Sequence, residues 1–201
     1  MRTVDPVRHA ERRQGILEAA GRCFVRDGFR GASISGICAE AGISPGHLYH
    51  YFPSKEAILA ALAEARMEQV AAQFARIMAA PDVVEALLAA MDAARARHRR
   101  DGAGGHAVLF DLLAESVRNP ALAQILRSHS ATMRRLLADV IRQGQVHGTI
   151  DPGLPPEPTA GVLMSVIDGA RTLPLRDPKL DAEASLGLLK TLITRFLAPP
   201  A

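Results

Sequence analysis

Hydroxyl and imidazole side chains are concentrated between residues 44 and 51 of this 201-residue chain. Hydroxyl and imidazole groups of this kind bind phosphate oxygens and the edges of nucleic-acid bases. The group comprises Ser44, His47, Tyr49, His50 and Tyr51. If the elements around these residues expose them together, they form a surface suited to a polyanion.

Two short helices are predicted around this polar segment. Ser33 can cap the first helix, and Gly42 permits the positive φ that ends it. Ser44 can cap the second helix, which Pro53 stops. The positions that must be apolar for close packing are Ile37, Cys38, Ala41, Ile43, Leu48 and Phe52. The pattern is typical of a helix-turn-helix whose second helix enters a DNA major groove; a helix hairpin with a solvated polar face is the alternative.

The charge distribution favours the first interpretation. The chain has 24 Lys and Arg against 21 Asp and Glu. Residues 1–55 contain eight basic and five acidic residues, and the remaining residues carry equal numbers of each. A basic module on a neutral body is expected where one part of a protein meets a polyanion. A protein-interaction adaptor would not need this asymmetry.

Composition indicates helix-on-helix packing. Hydrophobic residues make up 48% of the chain, aromatic residues only 4%, and there is no Trp. No apolar run reaches the ~20 residues that cross a bilayer, and no signal peptide precedes Arg8. We therefore expect a cytoplasmic location and no membrane contact.

Cys23 and Cys38, which stand among apolar neighbours, are interpreted as small core residues, with a redox switch as the alternative.

Apolar periodicity and turn residues predict an all-α fold of about nine helices and no strand. Asp27 and Gly28 are expected to end the first helix, Gly102–Gly105 to form a flexible break, and residues 151–158 to form a proline-rich linker. The predicted helices cover residues 8–26, 33–41, 44–52, 54 to about 80, 82 to about 100, 106–117, 120–146 with one interruption, 159–172 and 181–197.

The block from Ile16 to Leu59 resembles the DNA-binding domain of the tetracycline-repressor (TetR) family of transcriptional regulators. The resemblance rests on Ala19, Ala20, Phe24, Gly28, Phe29, Ser33, Ile34, Ile37, Ala41, Gly42, Ile43, Ser44, Gly46, Leu48, Tyr49, Tyr51, Phe52, Ser54, Lys55 and Glu56. It covers about a quarter of the chain. Cys38 replaces a commoner alanine, and Pro45 stands where many members have a basic or polar residue.

The resemblance implies two domains. Residues 1–57 would form a helix-turn-helix DNA-binding domain of three helices, and residues 58–201 a helical bundle for regulation, ligand binding and dimerisation. The bundle is compatible with the family by length and helicity. The run Leu109 to Leu126 also resembles the C-terminal domain of the family's choline-responsive repressors.

Five of the predicted DNA contacts are to phosphates. Ser33 and Ser44 cap helices whose N-terminal amides can bind a phosphate. Tyr49 and Tyr51 present a hydroxyl on a rigid ring. The resemblance implies that tyrosines here touch the DNA backbone. The alternative for Tyr51 is that it is a core residue that packs on the first helix. Lys55 supplies a charge-assisted contact at the start of the fourth helix.

The predicted base contacts lie at the beginning and middle of the second short helix. His47 and His50 are the candidate readers of base edges, because no Arg or Lys is present there. Gly46 allows a close approach, and Pro45, at the first helical position, is also a candidate DNA contact.

A homodimer is expected because one short recognition helix reads few base pairs, whereas paired half-sites about 34 Å apart restore specificity. The apolar stripes on the last two helices, residues 159–172 and 181–197, are predicted to pair between protomers. Both helices can instead be ordinary core helices.

A ligand pocket is predicted in the body of the chain. Met and Phe suit adaptable apolar pockets, although plain core is the alternative for each. Asp111, with Glu115 one turn later, could meet a cationic ligand, or both could lie on a solvated face. The candidates are Phe74, Met78, Met91, His106, Phe110, Asp111, His129, Met133 and Met164.

Together these features predict a ligand-responsive repressor that binds a pseudo-palindromic operator as a dimer and is released by a small-molecule effector, without metal or cofactor. The alternative is a small helical enzyme with an acid–base or metal site built from Asp111, Glu115, His106 and His129. The sequence offers no Glu-x-x-His or His-x-x-x-His pair for such a site.

Overall fold

The computed structural model describes residues 6–101, 104–177 and 179–200; the side chains at 98–101, 104–107, 171 and 174–176 are not described. Within these ranges the chain forms nine α-helices and no β-strand, which confirms the all-α fold class. The helices are α1 (Pro6–Gly31), α2 (Ile34–Ala41), α3 (Pro45–Tyr51), α4 (Lys55–Met78), α5 (Val83–Asp101), α6 (Gly104–Ser116), α7 (Pro120–Val146), α8 (Pro156–Arg176) and α9 (Ala182–Leu197).

Side-chain caps begin four helices at the predicted residues. The capping oxygen accepts a backbone N–H at 3.0 Å for Ser33, 3.3 Å for Ser44, 3.1 Å for Ser54 and 2.8 Å for Asp82. Each bond satisfies one of the N–H groups that the first turn of a helix leaves without a partner inside the helix. Local sequence therefore determines where these helices start.

The first helix has a kink at its predicted end. Gly28 has a φ of 70°, so the backbone leaves helical geometry there, but α1 resumes and continues to Gly31. The carboxylate of Asp111 accepts the N–H of Phe29 at 2.6 Å, directly after the kink. A Cβ on Gly28 would lie 3.0 Å from that carboxylate. The first helical segment therefore ends at Asp27 and Gly28 as predicted, and a short second segment, whose first N–H is held by the distant carboxylate, continues to Gly31.

Two predicted interruptions are shorter than expected. Helix α8 begins at Pro156, three residues early, because prolines in a first turn lack only N–H groups that have no helical partner there. Helix α5 reaches Asp101 and α6 begins at Gly104; residues 102 and 103 of the predicted break lie outside the described ranges. Helix α7 is continuous from Pro120 to Val146.

Contacts divide the chain into two compact units. The first contains Met1–Glu68 and Gly102–Ser128, and the second contains Gln69–Asp101 and His129–Ala201. Helices α4 and α7 contribute to both units. Helix α6 packs against α1 in the first unit. The domain boundary predicted after residue 57 stays a prediction.

The first unit has an apolar core that includes both cysteines. Cys23 and Cys38 are buried and free, and desolvation raises the pKa of the Cys38 thiol. This environment supports their interpretation as small core residues. Other members of this core are Ile16, Phe24, Phe29, Ile37, Leu48, Phe52, Ile58 and Leu122.

The second unit has its own core, to which a tight turn after α7 contributes Ile150. The carbonyl of Gly144 accepts the N–H groups of Thr149 and Ile150 at 2.9 and 3.2 Å. A Cβ on Gly144 would lie only 2.5 Å from the Ile150 side chain, so glycine is required for this close approach. Other members of the core are Val83, Val140, Ile141, Leu163, Ile193 and Leu197.

Candidate nucleic-acid interface

Helices α2 and α3 form the predicted helix-turn-helix. Gly42 ends α2 in the left-handed conformation, with φ at 63°, and the N–H of Ile43 donates to the Cys38 carbonyl at 3.0 Å. Ile37 on α2 and Leu48 on α3 are fully buried. The apolar contact between the two helices therefore fixes which face of α3 is left for solvent.

The exposed face of α3 carries most of the predicted DNA contacts. Tyr49 is 52% exposed. Tyr51 is half-buried and packs against the first core, so its ring contributes to stability as well as to the surface. The exposed residues of this segment are Ser44, Pro45, Gly46, His47, Tyr49 and His50, and Ser33 is exposed at the start of α2.

Gly46 leaves one position in the first turn of α3 without a side chain. A Cβ built at this position would meet no other atom within 4 Å, and the residue has no positive φ. Packing inside the chain therefore does not require glycine here. The absence of a side chain leaves room for an external surface to approach the backbone of α3.

A cluster of aromatic rings joins α1 to α3. The ring of Tyr51 lies 4.7 Å from that of His9 and 5.4 Å from those of His47 and His50. His9 was not among the sequence-predicted residues, because nothing in its own neighbourhood distinguishes it. Its position beside α3 depends on how α1 packs in three dimensions.

The Lys55 ammonium is engaged inside the first unit. It donates to the carbonyls of Phe29 and Ala32 at 2.6 and 2.9 Å and lies 4.5 Å from the centre of the Phe29 ring. Burial lowers the pKa of Lys55. Because two of its three N–H groups serve these carbonyls, the predicted phosphate contact would use the third.

Two further contacts connect α6 and the start of α7 to the same region. Besides the bond from Asp111 to Phe29, the Asn119 amide donates to the Glu56 carboxylate at 3.2 Å. The N–H of Glu56 itself, and then Asn119, lower the pKa of this carboxyl. A carboxylate with a lowered pKa stabilises the fold above its unfolded pKa, and that stability is lost on acidification.

The predicted ligand residues are divided between the two units. Phe110 and Asp111 belong to the first, where Asp111 already binds the Phe29 N–H. His106 lies on α6, but its side chain is outside the described part of the structure. The residues in the second unit are Phe74, Met78, Met91, His129, Met133 and Met164, of which all but His129 and Met133 pack against its core.

An open groove of about 420 Å³ lies between α4 and α7 within the second unit. Phe74 and Met78 are the two predicted residues that line it. Asp139, Arg142 and Gln143 provide its polar groups, and Arg142 also pairs with Asp139 at 2.6 Å. The groove can accommodate a small molecule with an apolar body and a polar end.

The described residues contain neither a candidate metal cluster nor a candidate membrane-spanning helix. They contain no group of three or more His, Cys, Asp or Glu side chains arranged to hold a metal ion. Among the helices in the described ranges, none combines the length and apolar character needed to cross a membrane.

Comparison with known families agrees with the geometry of α2 and α3. Residues 16–62 match the family model for bacterial regulatory proteins of the tetR family. Residues 84–198 match the model for the C-terminal domain of BetI-type transcriptional repressors. The chain belongs to the TetR family and is a DNA-binding transcriptional regulator, which confirms the resemblance and the function class predicted from sequence.

Relatives and solved structures support the same assignment over most of the chain. The HTH-type transcriptional regulator UidR of Escherichia coli K12 is 31% identical over 78% of each chain. The structure of Salmonella enterica GusR superposes with a TM-score of 0.77 at 27% identity, covering 93% of this chain and 95% of GusR. A transcriptional regulator from Saccharomonospora viridis, solved with choline, shares the fold with a TM-score of 0.77 at 23% identity, covering 94% and 98%.

Proposed function

We propose that the chain is a repressor that binds a pseudo-palindromic operator as a homodimer and is released by a small-molecule effector. The observation that carries the DNA-binding part is the exposed polar face of α3, held outward by the fully buried Leu48. A helix displayed in this way fits the major groove. The family assignment supports a transcriptional role and gives no support to an enzyme.

The side chains on this face suggest two kinds of DNA contact. The first turns of α2 and α3, capped by Ser33 and Ser44, present backbone N–H groups suited to phosphate oxygens. Tyr49 supplies an exposed hydroxyl for the same purpose. His47 and His50 are the proposed readers of base edges, with Gly46 allowing the approach.

Selection of bound duplexes from a random pool tests this proposal. We expect a pseudo-palindromic site, and we expect His47→Ala to change which bases are preferred, because imidazoles read base edges. Tyr49→Phe should weaken binding to all selected duplexes about equally, because phosphate contacts carry no base information. The absence of any preferred site would refute the function, and an unchanged preference in His47→Ala would refute the role of that residue.

A second apolar face on α9 supports dimerisation. Leu189, Ile193 and Leu197 are buried in the second core, as a core helix requires. Leu188 and Leu192 lie one position earlier in each turn and are 72% and 50% exposed. Phe196, four residues after Leu192 on α9, is 38% exposed, and Val162 on α8 is 50% exposed. A second copy of the chain is the proposed occupant, because two-fold symmetry supplies two recognition helices for two half-sites.

The effector is proposed to bind in the groove between α4 and α7 and to act through α4. Helix α4 begins at Lys55, beside the DNA-binding helices, and its later turns carry Phe74 and Met78 in the groove. A ligand that displaces this helix would change the separation of the recognition helices in a dimer. Loss of fit to the groove spacing of DNA would weaken both half-sites together.

Linkage makes the effector proposal testable. A thermal-shift screen of metabolites and hydrophobic cations, choline included, identifies a binder, and calorimetry then measures its affinity with and without operator. We expect operator DNA to lower the affinity for the small molecule by the same factor by which the small molecule lowers the affinity for operator DNA, ~5- to ~100-fold. Equal affinities would show that the binder is not an inducer. Met78→Glu in the groove should weaken binding, whereas Met67→Glu, on α4 but outside the residues that line the groove, serves as the control.

A further inference from the structure

We infer that operator binding is coupled to proton uptake at three histidines, His9, His47 and His50, which surround Tyr51. Acidification should therefore tighten operator binding. The inference rests on the proposed function, because it concerns the same DNA-binding surface. It adds His9 as a further residue of that surface and makes pH a determinant of its affinity.

The geometry brings three imidazoles to one phenol ring. The His9 ring lies over Tyr51 at 4.7 Å with an interplanar angle of 35°, and the His50 ring meets Tyr51 edge-on at 5.4 Å. The centres of the His9 and His50 rings are 6.3 Å apart. His47 and His50 are exposed and His9 is half-exposed, so all three can exchange protons with solvent.

On the recognition helix α3, positive side-chain charge can come only from His47 and His50. The segment from Ser44 to Phe52 contains no Lys or Arg. Each imidazole that gains a proton thus adds a full charge to a neutral reading surface. An Arg or Lys in their place would be charged at every physiological pH.

The surrounding acids have other partners or lie on the basic end of α1. Glu40 on α2 accepts from Arg22 and Arg26 at 2.8 and 3.2 Å. Arg13 lies 5.1 Å from the Phe52 ring, at the end of α3. The other charged or titratable groups close to the three histidines along the chain are Arg8, Glu11 and Arg12 on α1, Tyr49 on α3, and Lys55 and Glu56 at the start of α4.

The direction of the effect follows from linkage. An ordinary imidazole titrates near pH 6.5, and the negative potential of a duplex favours its charged form. The complex therefore holds more protons than the separate partners, and binding strengthens as pH falls. Each protonated histidine at a phosphate also releases a counterion, so the slope of log affinity against log salt should steepen by ~0.9 per contact.

Fluorescence anisotropy with the selected operator, at fixed ionic strength, measures the coupling. We expect affinity to rise at least ~10-fold between pH 8 and pH 6, which corresponds to an average uptake of about half a proton or more per dimer over this range. Calorimetry in two buffers of different ionisation enthalpy counts these protons directly. A flat pH profile with no proton uptake would overturn the inference while leaving the selected operator, and hence the proposed function, intact.

Variants assign the protons. His9→Gln should reduce proton uptake and keep the base preference, and the triple variant H9Q/H47Q/H50Q should flatten the pH profile. His147→Gln, an exposed histidine beyond α7, is the matched control and should keep the wild-type profile. If His9→Gln retains full proton uptake, His9 does not contribute to the coupling. If the triple variant fails to fold, the wild-type proton count and the His9→Gln comparison still decide the inference.

Discussion

Replacing Leu188 and Leu192 by glutamate is expected to convert the protein to monomers and to weaken operator binding at least ~100-fold. Both side chains are largely exposed on α9, so the change should leave each protomer folded. In a two-fold symmetric interface, however, the new carboxylates would face one another and their desolvation would be uncompensated. The loss in affinity follows because two linked half-sites gain ~10²- to ~10⁴-fold over one.

Light scattering and operator titration measure this result. Val117→Glu is a suitable control, because Val117 is 83% exposed in the first unit, away from α8 and α9 in the chain. The control should remain dimeric and bind the operator normally. A dimer of unchanged affinity in the double variant would show that α9 does not form the interface.

Replacing Lys55 by methionine is expected to lower the free energy of unfolding by about 3 kcal/mol, since charge-assisted hydrogen bonds contribute ~1.5 to ~3 kcal/mol each. Methionine keeps the apolar stem but leaves the carbonyls of Phe29 and Ala32 without their donor. It also removes the cation from the face of the Phe29 ring. The last turn of α1 should then loosen, together with the turn that leads into α2.

Urea unfolding at one fixed protein concentration measures this effect, because dimer stability depends on concentration. Lys190→Met is the matched control: it removes an exposed ion pair with Asp92 and should change stability by no more than ~1 kcal/mol. If the two variants unfold at the same urea concentration, the hydrogen bonds from Lys55 to Phe29 and Ala32 do not stabilise the fold as proposed. Salt titration of the folded variant shows separately whether the third N–H binds phosphate, as a drop of about one in the salt slope.

Much of the DNA-binding region was predictable because its information is local. Ser33 and Ser44 cap helices within three residues of their own position, and Gly42 ends α2 through its own φ. The apolar spacing that buries Ile37 and Leu48 also lies within one short segment. Local hydrogen bonds and helical periodicity are sufficient to define such a unit.

The ligand pocket was predicted less well, because Met and Phe at helical spacing serve a core and a pocket equally. Of the predicted residues, Phe74 and Met78 line the groove that the structure contains. The polar groups of the groove, Asp139, Arg142 and Gln143, lie on α7. Only the packing of α4 beside α7 brings them together with the apolar residues.

The sequence by itself determined the helical class, the caps, the turn between α2 and α3, and the polar character of α3, since each depends on residues within a few positions of one another. Tertiary structure decided which partners the charged and aromatic groups take. Asp111 reaches the N–H of Phe29 across 82 residues, and His9 meets Tyr51 through the packing of α1. Such contacts follow from the folded path of the chain, because side-chain hydrogen bonds and ring contacts act only over a few ångströms.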